Sequence, residues 1–341
     1  LYYLKTFILP LNLSVWQFLV VRQVNIQEFY APLFYCFTLF LFLLLATIFL
    51  YKSRNNPNYN KEKLLQKFLF FFGWYIFGIF PLLQIVPLDM TVADRWFYVP
   101  IVGLLGLIGT ALQLLQTSHW FNKTLVVITM IIFISFLSFR TMVRTFDFKD
   151  NLTLYSHDVE ERQEQFKIKD VLAMELNKVG RFQEALVYEK SSVSIFPTIS
   201  NTKHLGNLYL ANKQYEEAIS AYTLSIKTYK SLSHDNTEAS YLQDLQIEDS
   251  FTNMALTYNI INQPQDAVKV VYEGLEILPS SSKLYLFLSI THIYLDDREK
   301  AIEAITKSNA LAPNKEKLDI YNRLKSNDSL ESIKSILISE Q

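Results

Sequence analysis

Glycine and proline are scarce, with 8 and 10 in 341 residues. So few turn formers argue against a loop-rich β fold and for helices. Cysteine is scarcer still. The single Cys36 lies inside an apolar run, which excludes a disulfide within the chain and a cysteine-based metal cluster. The five histidines, His119, His157, His204, His234 and His292, fall at no metal-ligand spacing, so no metal is expected. No phosphate-cradling glycine loop, Gly-x-Ser-x-Gly elbow or dinucleotide fingerprint is present, and no cofactor is expected. Neither sign of charge dominates: 32 basic and 33 acidic residues leave a net charge of −1, which carries no signal for nucleic acid. A cleavable signal pattern is missing too, and the first residue is Leu1. The sequence reads as the C-terminal part of a longer protein.

What is abundant is apolar residues, at 50% of the chain. That average hides a division near residue 150. Before it, long apolar runs dominate. After it, charged and apolar residues alternate at helical spacing. A membrane span needs about 20 mostly apolar residues. Runs near 30–51, 68–86, 97–115 and 124–139 meet or approach that length. The first carries no charge over YAPLFYCFTLFLFLLLATIFLY. The second contains Gly73, Gly78 and Pro81, which can kink a helix or admit a neighbour. The third has Gly103, Gly106 and Gly109 three apart. Residues 1–22 are apolar but interrupted by Lys5, Pro10, Asn12 and Ser14, which fits a partial span or an interfacial helix with Trp16 at headgroup depth. The sequence therefore predicts a membrane domain over 1–145 with four or five spans. The 52–67 loop holds Lys52, Arg54, Lys61, Lys63 and Lys67 against Glu62 alone, so it is expected on the cytoplasmic side. Alternation then puts 87–96 and everything after residue 140 on the non-cytoplasmic side. Arg140, Arg144 and Lys149 count against that assignment, diluted by Asp147 and Asp150.

Beyond a linker at 146–165, alanines recur in similar surroundings: Ala185, Ala218, Ala267 and Ala301. Their spacings are 33, 49 and 34 residues, and Pro197, Pro279 and Pro313 follow three of them by twelve. This is the tetratricopeptide (TPR) period, in which a small residue sits where two antiparallel helices touch and a proline ends the second. Leu205, Gly206, Tyr209, Ala218 and Tyr222 match the motif, as do Tyr258, Ala267 and Pro279. The expected array is about four repeats over 166–315, with an insertion near 231–246 and capping helices over 316–341. The fold class is all-α, polytopic transmembrane helices followed by a TPR α-solenoid. Such arrays leave a concave face for an extended protein or peptide. The groove candidates are Lys203, Asn207, Thr252 and Asn259.

The loop PLDMTVADRWFYVP (87–100) joins two of the apolar runs. Trp96, Phe97 and Tyr98 suit an aromatic belt at a membrane surface. Asp94 and Arg95 also suit an anion site, because a guanidinium at headgroup depth can bridge two phosphate oxygens. FPLLQIVPLDMTVADRWFYVPIVGLLG, followed by TPR units, resembles the transmembrane and TPR-containing protein O-mannosyltransferase family and its bacterial relatives, as does YLKTFILPLNLSV (3–15). Asp94 stands where the family more often has Glu, and Val99 where it has Leu. The resemblance implies a GT-C-type glycosyltransferase that moves a sugar, in this family mannose, from a polyprenyl-phosphate donor to protein hydroxyls. It places the catalytic acidic residues in a first outer loop upstream of Leu1. Arg95, Asp94, Trp96 and Tyr98 are the expected lipid-phosphate donor site, with Asp94 orienting Arg95, and the TPR domain would hold the acceptor. The alternative is a membrane-anchored TPR scaffold with no activity.

Overall fold

The computed structural model describes the chain apart from residues 1, 11–12, 16–23, 53–60, 84–93, 116–122, 233–237, 327 and 340–341. Every regular element among the described residues is helical. The chain divides into two compact units, Leu1–Gln165 and Phe166–Gln341.

The first unit contains α1 (Tyr2–Ile8), α2 (Ala31–Lys52), α3 (Lys61–Ile79), α4 (Tyr98–Leu115), α5 (Lys123–Asp147) and α6 (Asn151–Glu161). The apolar run at 68–86 begins within a helix that starts at Lys61 and stops at Ile79, where Pro81 enters a short 3-10 turn, Phe80–Leu83. Helices α3 and α4 pack closely because three of the glycines noted in the sequence, Gly78, Gly103 and Gly106, sit at their contact. A Cβ on Gly103 would meet the Tyr75 backbone nitrogen at 2.6 Å, and one on Gly106 the Phe71 ring at 2.1 Å. Gly109, third in that row, has nothing near its absent Cβ within 4 Å. Leu64, Phe68, Tyr75, Phe97 and Leu107 form the small core, with Tyr3 stacked on Phe97 at 5.1 Å.

Helices α2 and α5 bury almost nothing. Phe42 is 67% exposed and Ile132 64% exposed. Among the described residues, three stretches are long and apolar enough to cross a membrane: Ala31–Phe49, Glu62–Leu82 and Thr124–Asp147. The third apolar run, at 97–115, lies almost wholly in α4, whose apolar part, Tyr98–Gln113, is shorter. At 18 residues α4 is about 27 Å long, just under the roughly 30 Å hydrocarbon thickness.

The stretch 146–165, read from sequence as a linker, carries α6. Asp150 caps this helix by accepting from the Thr153 backbone N–H at 2.8 Å, and Leu154 and Val159 are buried beneath it. Asp158 is fully buried and ties three segments together. Its carboxylate accepts from Arg144 Nη2 at 2.7 Å, from the Val15 backbone at 2.7 Å and from Ser14 Oγ at 3.2 Å. Arg144 also donates to Asp147 at 2.9 Å, so this basic residue at the end of α5 is neutralised locally.

The second unit is a run of helical hairpins: α7 (Phe166–Lys178) with α8 (Phe182–Ile195), α9 (Ile199–Ala211) with α10 (Tyr215–Lys230), α11 (Glu238–Ile260) with α12 (Pro264–Ile277), and α13 (Ser282–Tyr294) with α14 (Arg298–Leu311). The array closes with α15 (Lys315–Lys325) and α16 (Leu330–Ser339). Ala185, Ala218, Ala267 and Ala301 are all at 0% exposure. Five residues before each of them the chain turns through the left-handed region, at Gly180, Lys213, Asn262 and Asp296. The N–H that follows each turn residue bonds back five residues: Arg181 to Leu176, Gln214 to Tyr209, Gln263 to Tyr258 and Asp297 to His292. This closes the first helix of each hairpin in a Schellman turn. Much of the insertion at 231–246 is helix, since α11 starts at Glu238 and is 23 residues long. At the far end Ile333 of α16 covers Ile320 and Leu324, and Arg298 Nη1 donates to the Leu324 carbonyl at 2.7 Å.

The turns make a paired prediction. Gly180 has φ +78° and open space around it, whereas Lys213 holds φ 58° with a side chain. Gly180→Ala should destabilise the chain by roughly 1 kcal/mol, the backbone cost of an L residue in that region net of glycine's greater freedom when unfolded. Lys213→Gly should be neutral or stabilising. Thermal unfolding of the purified chain checks both, and a rise with the first or a large fall with the second contradicts this reading of the turns.

Candidate functional site

Three places carry chemistry, each within one unit. The first is the outer face of helices α9, α11 and α13, the first helices of three successive hairpins. Lys203 of α9 and Lys283 of α13 both reach Asp249 of α11, at 3.0 Å and 2.6 Å. Four residues further along α9 and α11, Asn253 Nδ2 donates to Asn207 Oδ1 at 2.9 Å. The Tyr222 hydroxyl donates to the same oxygen at 2.8 Å. Gly206 makes room for this tyrosine, because a Cβ there would meet its ring at 2.4 Å. The result is a half-exposed polar strip with two ammonium groups and one carboxylate. Partial burial alone would raise the Asp249 carboxyl, but Lys283 and Lys203 outweigh it and hold it below its ordinary range.

Of the four groove candidates, Lys203 and Asn207 lie on this strip. Thr252 and Asn259 are corrections, since both are buried and offer no surface to a ligand. Thr252 shares its register with Lys203, fifteen residues before the hairpin alanine. A lysine stem carries its charge outward from that position. A threonine is too short to do so and bonds the Asp249 carbonyl at 3.1 Å instead. Asn259 shares its register with Ile293, a core residue, and donates to Thr291 Oγ1 at 3.0 Å.

The second place lies among α7, α8 and α9, where Asp170, Glu189 and His204 meet. One ligand-type atom from each lies within 4.8 Å of the other two. Asp170 accepts from Lys167 Nζ at 2.7 Å and is 2.8 Å from His204 Nδ1. Glu189 is at 0% exposure, and neither of its carboxylate oxygens has a hydrogen-bond partner. Burial, with Asp170 adding to it and Lys167 opposing, pushes its carboxyl up to about 10. Burial would raise Asp170 too, but His204 and Lys167 more than offset this and hold it low. Sequence reading passed over this cluster because its members are 19 and 15 residues apart. A signal was there: Glu189 stands four residues after Ala185, and the equivalent positions are Tyr222, Val271 and Ile305, all at 0% exposure.

The third place is the loop at 87–100. Residues 87–93 and the side chains of Asp94 and Arg95 lie outside what is described, so the pairing expected of those two stays an expectation. The described part is a 3-10 turn, Asp94–Phe97, running directly into α4. Phe97 is buried, Trp96 is half-buried and Tyr98 is 74% exposed. The three aromatics therefore diverge: Phe97 belongs to the core and Tyr98 points outward. An apolar cavity of about 310 Å³ lies in the same unit, lined among others by Leu4, Leu39, Phe42, Tyr75 and Leu104.

Residues 204–231 match the family model described as tetratricopeptide repeat. Over 157 residues the chain is 26% identical to the protein named Protein O-mannosyl-transferase Tmtc3 of Drosophila melanogaster, a match that covers 44% of this chain and 16% of that protein. The chain thus spans a small part of the length of the curated relative it matches. Among solved structures, residues 41 to the end of MamA from Desulfovibrio magneticus are 16% identical, with a TM-score of 0.39, over 51% of this chain and 93% of that one. The TPR protein TTC0263 of Thermus thermophilus is 17% identical, with a TM-score of 0.38, over 55% and 94%.

The Lys203–Asp249–Lys283 ladder has a pH signature. Asp249 has its folded-state value below its unfolded one, so its contribution is complete above the ordinary carboxylate range. It is lost as pH falls through the lowered value. More than a third of the side chain is exposed, so solvent screening keeps the effect to about 0.5 kcal/mol. Asp249→Asn should therefore flatten the acid limb of the stability curve slightly and leave neutral and alkaline stability little changed. A loss of several kcal/mol at neutral pH would mean that the ladder is structural rather than exchangeable.

Proposed function

We infer that the chain is a membrane-anchored TPR protein whose repeat array holds an extended, acidic segment of a partner protein. The observation that carries this is the ladder of two lysines sharing one aspartate across three successive hairpins. A carboxylate arriving on the partner can take over a lysine from Asp249. The exchange leaves the number of ion pairs unchanged and gains the contacts of the rest of the segment. The Asn207–Asn253 pair beside it supplies donors and acceptors for a peptide backbone. The three long apolar helices support the anchoring, because Phe42 and Ile132 are exposed among many other large apolar residues and water is a poor solvent for such a surface. Anisotropy with a labelled Glu-rich peptide tests the groove on the full chain in detergent. Lys203→Glu with Lys283→Glu should weaken binding at least tenfold, and Asp249→Asn should tighten it by removing the internal competitor. Equal binding by all three chains would remove this groove as the site.

The likeness to the Drosophila protein favours a second, larger reading. On it the chain is part of a protein O-mannosyltransferase-like enzyme that uses a polyprenyl-phosphate sugar as donor. The array sits on the non-cytoplasmic side and holds the acceptor, and Arg95 binds the lipid phosphate with Asp94, Trp96 and Tyr98 around it. Arg95→Ala would remove a charge-assisted contact of about 1.5–3 kcal/mol, roughly a ten- to hundredfold loss in donor use. Arg95→Lys should restore it only in part, because the bidentate fork is gone. The measurement is sugar transfer in membranes by the full-length protein. Undiminished transfer by both variants would leave the loop as an aromatic membrane-surface turn.

A further inference from the structure

We propose that Asp170, Glu189 and His204 bind a divalent first-row transition cation that cross-links helices α7, α8 and α9. The first support is the state of Glu189. Its side chain is completely buried and aimed at Asp170 and His204, and both of its oxygens lack a partner. An unpaired carboxylate with no access to water is costly, and a counter-cation is one of the few groups that can satisfy it. The second support is spacing. Ligand atoms from three different helices lie within 4.8 Å of one another. Two ligands on one ion at about 2.1 Å stand no more than about 4.2 Å apart, so small side-chain adjustments bring all three into range.

The donor set limits the ion. One imidazole and two carboxylates suit zinc, manganese or iron, whereas calcium and magnesium prefer oxygen alone. The 2.8 Å between Asp170 Oδ1 and His204 Nδ1 is a hydrogen bond in the metal-free chain. Around a shared ion the same separation subtends roughly 80–90° at about 2.1 Å, the angle between neighbouring ligands of a five- or six-coordinate centre. His204 then carries its proton on Nε2. The second oxygen of Asp170 keeps its bond from Lys167 at 2.7 Å, which fixes the orientation of the ligand. The half-buried edge at His204 leaves a path for water to complete the shell. Two carboxylates, one lysine and a dication leave a single net positive charge, where the metal-free cluster with both carboxylates ionised is net negative. Such an ion would join the first hairpin to the second, and it stands apart from the ladder at Asp249.

The test uses the full chain in detergent, stripped with a chelator and dialysed. Zn²⁺ alone is titrated against a chromophoric competitor, and Co²⁺ is added separately for its visible absorption. One zinc per chain should bind, with a rise in melting temperature that Ca²⁺ and Mg²⁺ do not reproduce. Glu189→Gln preserves shape, and His204→Asn changes a half-exposed residue, so at least one variant should fold. Each should weaken zinc binding at least tenfold and abolish the Co²⁺ band. Zinc binding that is absent, or that survives in a folded variant with the Co²⁺ band unchanged, overturns the proposal and leaves Glu189 as a buried neutral acid.

Discussion

Each hairpin of the second unit depends on one buried contact, where a small residue sits between two helices. Ala185, Ala218, Ala267 and Ala301 occupy it, and none has any exposed surface. Such a contact can form only if the chain reverses at a fixed distance from it, which is why the left-handed turn residue is always five positions earlier. Turn and contact together set the register of everything else. Four residues after the alanine comes a core side chain. Fifteen before it comes a position from which a long side chain can reach the outer face. Geometry at one atom is thus propagated along the array, as expected for a solenoid in which each repeat touches only its neighbours.

The first unit solves a different problem. Helices α2 and α5 are apolar on nearly all sides and bury little, so packing within the unit gives them little reason to be where they are. What the unit does specify is local: the glycine-lined approach of α3 and α4, and the carboxylate of Asp158. That residue gathers Arg144, Ser14 and the Val15 backbone around a fully buried charge. Removing one member of such a cluster strands the others, at a cost of about 3–5 kcal/mol. The end of the long helix α5 is therefore fixed by an ionic contact, while most of its length is free to meet an apolar medium.

These two physical regimes explain what could be read from sequence. Alanine spacing and proline position survive as visible periodicity because they mark steric minima that admit few residue types. Apolar runs are visible because nothing interrupts them. Helix limits were less legible: α3 begins at Lys61, before the apolar run, because Lys and Glu are good helix formers and the apolar count ignores them. The polar strip was half legible. Lys203 and Asn207 reach the strip, while Thr252 sits in the register of Lys203 with a side chain too short to escape the core, and Asn259 falls in the core register of Ile293. Register gives direction, and side-chain length decides whether that direction ends at the surface.

The same register makes Glu189 informative. At its position the other repeats place Tyr222, Val271 and Ile305, each completely buried. An apolar residue there needs no partner, so a carboxylate is a departure that hairpin packing does not call for. Its cost is contained only by what lies across the contact, Asp170 and His204. Asp170 shares its register with Lys203 and points toward a helix interface rather than outward, because Lys167 and His204 hold it there. The first repeat has thus exchanged part of its apolar core for a polar cluster spanning three helices. An exchange of that kind stabilises the array only when a proton or a cation completes it.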